Sequence, residues 1–289
     1  MSHRSEDFSS VSPSAKSLLL AKAYTNIPFA KEAAALMDSD EIFDMSFDEN
    51  DFWFCIRVMH FEMRYWSIDQ LLKETDSKNI LELSSGFSFR GIDLCNKRTD
   101  IHYIDTDLPD LVATKEKMIQ RLSIDKDLKG NFELLPLNAL DETAIQSIIQ
   151  RFGQGSISII NEGLLMYLNT EEKIRLCKII HRILKQNGGC WITADVYVKR
   201  SNDMRAELPQ SKREKKFYEQ HNIEENKFDS YEAAEAFFKE QGFEVEKESV
   251  PDYSALSVMP KLMSVLPEEI RNSKEPPPKV QATWMLKAV

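Results

Sequence analysis

From residue 78 onward, short apolar runs alternate with amphipathic stretches of helix length, and few folds accept that rhythm. Asn79 to Ser84 reads as a buried strand, followed by a helix-like Phe89 to Cys95. Ile101 to Asp105 is a second strand before a helix over Leu111 to Leu122, and Phe132 to Leu137 a third before a helix over Glu142 to Phe152. Ile157 to Asn161 is a fourth, and the helix Thr170 to Leu184 stops at Asn187-Gly188-Gly189, where glycine favours a helix end. Cys190 to Val198 is a fifth strand, Phe243 to Val250 a sixth after the helix Ser230 to Gln241, and Ala282 to Val289 a seventh. Strands alternating with helices imply an α/β fold on a parallel sheet with right-handed crossovers.

Residues 1–76 read as helical. Ser12-Pro13 offers a cap and a first-turn proline, and Asp51 to Leu72 is too apolar to stand in water, so it packs on something. We divide the chain into an N-terminal helical cap, 1–76, and a main domain, 77–289. The charge-dense stretch 199–230 reads as an exposed helical insertion or lid, and Glu275-Pro276-Pro277-Pro278 as a stiff connector.

Composition narrows the function. The 37 Lys+Arg against 47 Asp+Glu leave a net charge of −10, which disfavours a nonspecific nucleic-acid binder. No apolar run is long enough to span a bilayer. The opening Met1-Ser-His-Arg-Ser-Glu-Asp7 does not read as a secretory signal, so the expectation is a cytoplasmic chain that binds neither nucleic acid nor membrane. Cys55, Cys95, Cys177 and Cys190 are widely spaced and form no C-x-x-C, which suggests buried thiols rather than disulfides or zinc ligands.

Chemistry concentrates at the carboxyl ends of the strands, where open parallel sheets bind ligands. Glu82-Leu-Ser-Ser-Gly86 follows the first strand, and its glycine allows close approach of a cofactor. A dinucleotide-cradling G-x-G-x-x-G is absent, which favours a cofactor without a pyrophosphate. Asp105-Thr-Asp107 ends the second strand, and either acid can accept ribose hydroxyls; chemistry alone does not rank them. Asn138, followed by Ala139, can accept an adenine amino proton or cap the next helix. Glu162, leaving an apolar strand, needs a cationic partner. Tyr167 and Tyr197 lie past strand ends and are candidates for an acceptor pocket. His60, His102 and His181 fall inside helix or strand patterns and read as structural. Asp195 has no companion carboxylates, so no metal is expected.

Three stretches together, Ile80-Leu-Glu-Leu-Ser-Ser-Gly-Phe-Ser-Phe-Arg90, Ile104-Asp-Thr-Asp-Leu-Pro109 and Asn161-Glu-Gly-Leu-Leu-Met-Tyr-Leu168, resemble the leucine carboxyl methyltransferase family, which includes polyketide O-methyltransferases. Upstream, Ser12-Pro-Ser-Ala-Lys16, Tyr24-Thr-Asn-Ile-Pro-Phe29 and Phe61-Glu-Met-Arg64 are similar as well. The resemblance implies a class I methyltransferase fold: a Rossmann-like, seven-stranded, mostly parallel sheet with an antiparallel last strand. It also implies S-adenosylmethionine as cofactor. Gly86 would lie against it, Asp107 would hold its ribose, and Asn138 stands where the family has an aspartate near adenine. Lys16 and Arg64 would pair with the methionine carboxylate, and Glu162 would lie near the amino end. Glu82, Asp105 and Ala139 complete the expected cofactor site. The chain departs from the family in having Ser84-Ser85-Gly86 for Gly-Ala-Gly and Ser88-Phe89-Arg90 for Asp-Thr-Arg.

The expected activity is methyl transfer to a carboxylate or hydroxyl oxygen, on a small molecule or a protein C-terminal carboxylate, with Tyr167 beside the acceptor. The alternative is a non-catalytic cofactor-binding or interaction module of the same fold.

Overall fold

The computed structural model describes residues 12–37, 48–199, 211–272 and 279–289. In chain order the elements begin with helices α1 (Ser12–Lys22), α2 (Ala30–Ala34) and α3 (Phe52–Leu72). Then follow β1 (Asn79–Leu83), α4 (Arg90–Lys97), β2 (His102–Asp107), α5 (Pro109–Leu122), β3 (Asn131–Pro136), α6 (Glu142–Ile149) and β4 (Ile157–Asn161). The second half holds α7 (Thr170–Asn187), β5 (Gly189–Tyr197), α8 (Lys212–Gln220), α9 (Tyr231–Glu240), β6 (Phe243–Glu248), α10 (Met259–Ser264), α11 (Glu268–Arg271) and β7 (Gln281–Ala288).

All seven strands form one sheet in the order β3-β2-β1-β4-β5-β7-β6. β1 to β5 run parallel, and β7 enters antiparallel between β5 and β6. The order reverses between β1 and β4, the switch point at which such sheets open a crevice. β1 and β4 are buried along their whole length, as strands covered on both faces must be.

The helices begin where their sequences provide donors and acceptors. The Asp51 carboxylate accepts the Phe54 N–H at the head of α3, and Asn169 with Glu172 forms a reciprocal capping box at the head of α7. Pro109 opens α5, where its missing N–H costs no helical bond.

The helices before β1 are joined to the sheet. Ile68, Leu71 and Leu72 of α3 share a core with Ile80, Tyr103, Ile160 and Ile192. Leu19, Ile27 and Ala30 pack with Tyr65, Phe89, Leu111 and Met118. α8 is two-faced: Lys212, Arg213, Lys215 and Lys216 are exposed, whereas Glu214 and Phe217 are buried. Between β6 and β7 the sequence reading had no helix; there the buried Glu62 carboxylate of α3 accepts the N–H of Ser257 (2.8 Å) and of Val258 (3.1 Å), holding that segment against α3. The proline connector lies outside the described residues, as does 200–210 of the charge-dense stretch. All four cysteines are free and buried.

Candidate functional site

A cavity of about 2170 Å³ opens over the carboxyl ends of β1, β2, β4 and β5, roofed by α1, α3 and α8. Ligand pockets commonly enclose about 300–1,000 Å³, so there is room for two small molecules. Of the residues singled out from the sequence, Arg64, Gly86, Asp107, Asn138, Ala139, Glu162, Tyr167 and Tyr197 line it.

One end is built from the turns after β1 and β2. Ser84 and Gly86 both adopt left-handed backbone, φ 52° and 55°. Ser84 therefore makes the turn without glycine, at the steric cost a Cβ brings there. A Cβ built on Gly86 would lie 3.6 Å from the Ala15 Cβ, ordinary contact, so conformation more than space favours glycine here. The Asp107 carboxylate accepts the Gly86 N–H at 2.6 Å and the Leu108 N–H at 2.7 Å. Burial raises its pKa and these backbone donors partly offset that. Each oxygen keeps a second acceptor position, so Asp107 can receive hydroxyl donors from the cavity. The Asn138 amide oxygen accepts the Leu140 N–H at 2.9 Å and keeps a second acceptor position, while Asp141 caps the following helix.

The other end is a buried charge cluster around Glu162. Its Oε1 accepts from Lys22 Nζ at 2.7 Å and from Arg64 Nη2 at 3.0 Å and Nε at 3.2 Å. Its Oε2 has a 3.5 Å contact with Arg90. Burial alone would raise the Glu162 pKa; Lys22, Arg64 and Arg90 together hold it well below the usual carboxylate range. Lys22 is pulled down by burial, with Glu162 opposing. Lys22, Arg64 and Glu162 all face the cavity, and their formal charges leave it one net positive charge at this end. The hydroxyl of Ser17, also on the wall and buried, has no hydrogen-bond partner among the described residues.

Two tyrosines also line the cavity. The Tyr167 hydroxyl donates to Ser14 Oγ at 2.9 Å. The Tyr197 hydroxyl accepts from Arg64 Nη1 at 2.8 Å and bonds His60 Nε2 at 2.8 Å. Burial pushes its pKa up to about 12, against the pull of Arg64. Asp195 serves the loop after β4: it accepts the N–H groups of Gly163 (2.6 Å), Leu164 (2.6 Å) and Leu165 (3.1 Å) and the Asn161 amide at 2.6 Å. Among the described residues no group of three or more His, Cys, Asp or Glu could hold a metal ion.

Three expected site residues are not on the cavity wall. Glu82 is consumed by Arg90 Nη1 at 2.6 Å and the Tyr103 hydroxyl at 2.6 Å. Asp105 is consumed by Lys115 Nζ at 2.5 Å and by Ser85 Oγ. Of the two acids after β2, Asp107 is therefore the one that faces the cavity. Lys16 is half-buried off the wall, and Lys22, six residues on, takes the place beside Glu162. Sequence reasoning passed over Lys22 and Ser17, and it read His60 as structural although His60 lines the cavity. Six residues along a helix is about 240° of rotation, so the two lysines point in different directions; only α1's packing decides which is inward.

No family model matches the chain, and no curated protein does. Solved structures do. A DUF574 family protein from Streptomyces avermitilis aligns with 94% of this chain and 97% of its own, at 13% identity and a TM-score of 0.53. Magnesium protoporphyrin IX methyltransferase (ChlM) from Synechocystis, solved with bound SAH, aligns with 93% and 99% at 8% identity and a TM-score of 0.47. The mitomycin 7-O-methyltransferase MmcR aligns with 81% of this chain but 57% of its own, at 8% identity and a TM-score of 0.46, so the chain spans little more than half of that protein. The strand order and the antiparallel β7, together with the first of these likenesses, show the seven-stranded class I methyltransferase fold.

Proposed function

We propose that the chain is an S-adenosylmethionine-dependent O-methyltransferase, similar to the leucine carboxyl methyltransferase family, acting on a small molecule or a protein C-terminal carboxylate. The observation that carries this reading is the charge order along one cavity: an acceptor-rich carboxylate, Asp107, at one end and the Lys22–Arg64–Glu162 cluster at the other. That order complements a ribose followed by an amino-acid zwitterion. Asp107 would take the ribose hydroxyls. Lys22 and Arg64 would share the carboxylate, and Glu162 Oε2, which among the described residues has only its long contact to Arg90, would take the ammonium. The unpartnered Ser17 hydroxyl fits the same end.

When bound, that cofactor supplies an activated methyl group; the chain's own residues then need only hold donor and acceptor in line, worth up to about 7–11 kcal/mol. Among the described residues no helix is long and apolar enough to cross a membrane.

Calorimetric titration with S-adenosylmethionine and S-adenosylhomocysteine tests the reading. Both should bind, and Asp107→Ala should weaken each by about 1.5–3 kcal/mol through loss of charged hydrogen bonds. A folded protein that binds neither would be the non-catalytic interaction module instead.

A further inference from the structure

The Tyr197 hydroxyl has two hydrogen-bond partners, and the His60 tautomer decides which way its proton points. A phenol oxygen carries one proton and two acceptor positions. Arg64 Nη1 can only donate, so it occupies one acceptor position. The remaining bond is to His60 Nε2. With Nε2 unprotonated, the Tyr197 proton has a partner and one acceptor position stays available to the cavity. With Nε2 protonated, both acceptor positions are filled and the Tyr197 proton turns to the cavity, leaving no acceptor there for a ligand hydroxyl. Only the first arrangement lets Tyr197 accept from a ligand hydroxyl.

The cavity this pair lines carries Trp53, Ile56, Phe61, Phe217 and Tyr218, and the Phe61 ring lies 5.6 Å from the His60 ring. The charged groups near His60 are held in ion pairs or hydrogen bonds. On α3, Arg57 meets Glu214 of α8 at 3.2 Å and Arg64 meets Glu162 beyond β4 at 3.0 Å. Asp195 on β5 is satisfied by backbone donors, and Lys215 of α8 is exposed at the rim. A neutral aromatic hydroxyl would find an acceptor in Tyr197 and apolar surface around it.

We propose that Tyr197 and His60 form a proton relay for an aromatic hydroxyl acceptor, the hydroxyl donating to Tyr197 Oη and Tyr197 donating to His60 Nε2. This rests on the methyltransferase reading above. The acceptor oxygen forms its bond to the methyl carbon as the carbon–sulfur bond breaks and its electron pair returns to sulfur. The hydroxyl proton passes to Tyr197 Oη while the Tyr197 proton passes to His60, leaving a neutral thioether, an aryl methyl ether and an imidazolium. A phenol, with a pKa near 10, lies within reach of such a base; an alkyl alcohol does not.

Two cofactor-free measurements test the relay, so its failure is distinct from failure to bind S-adenosylhomocysteine. Imidazole ¹⁵N NMR at pH 8, with the His60 signals assigned by their loss in His60→Gln, should show Nε2 unprotonated. A protonated Nε2 overturns the proposal. Fluorescence titration should show 2-naphthol binding about three- to tenfold tighter than 2-methoxynaphthalene, the span of one net hydrogen bond, with the preference erased in Tyr197→Phe. Equal affinities in the parent protein, no binding of either probe, or a preference that survives in Tyr197→Phe overturns it.

Discussion

At the scale of single residues, Glu162 stands where several buried charges meet. Three cations converge on one buried carboxylate, and removing its charge leaves Lys22 and Arg64 facing each other without compensation. Breaking a buried ion pair from one side costs about 3–5 kcal/mol, so Glu162→Gln should lose about that much stability in urea unfolding at pH 7. The loss should depend on pH with a definite sign. Glu162 has a folded pKa depressed below its unfolded value near 4.3. The stability it contributes is fully present above that unfolded value and is lost as pH falls through the folded one. The gap between parent and Glu162→Gln should therefore hold constant from pH 7 to about 5 and close under more acid conditions. A gap that widens in acid would mean that Glu162 is not the ionised partner. The same residue shows how far the sequence reaches: its need for a cation was legible because a carboxylate followed an apolar strand. That Lys22 rather than Lys16 supplies one was not, because both lie in the same short helix with no local signal of direction.

At the scale of elements, Gly91 sets how closely α4 approaches the sheet. A Cβ there would come within 2.5 Å of the Tyr103 ring and 2.8 Å of the Phe132 ring. Tyr103 is fully buried and tied to Glu82, so it cannot swing aside cheaply. Gly91→Ala should cost about 1–3 kcal/mol by overpacking, despite alanine's better helix propensity, and thermal unfolding checks it. A neutral or stabilising result would show that α4 yields. The strands and long helices were legible because buried parallel strands are continuous apolar runs and amphipathic helices repeat every three to four residues. The helices between β6 and β7 were not. α10 has six residues and α11 four, too few for a periodic pattern, and the Glu62 hydrogen bonds that hold α10's approach join residues nearly two hundred positions apart. Glu82 and Asp105 were misplaced for a related reason: acids at strand ends look alike until Arg90 and Lys115 fold against them.

At the scale of the molecule, the sheet's switch point, the helices before β1 and α8 enclose one cavity whose two ends differ in charge. The acidic surface total of the chain gives no hint of this, since the cations that matter are buried. The most direct test is a crystal structure of the protein grown with S-adenosylhomocysteine. The account predicts both ribose hydroxyls within hydrogen-bonding distance of Asp107 and the amino-acid carboxylate against Lys22 and Arg64. Ligand bound elsewhere, with Asp107 and Glu162 keeping only their present partners, would contradict it.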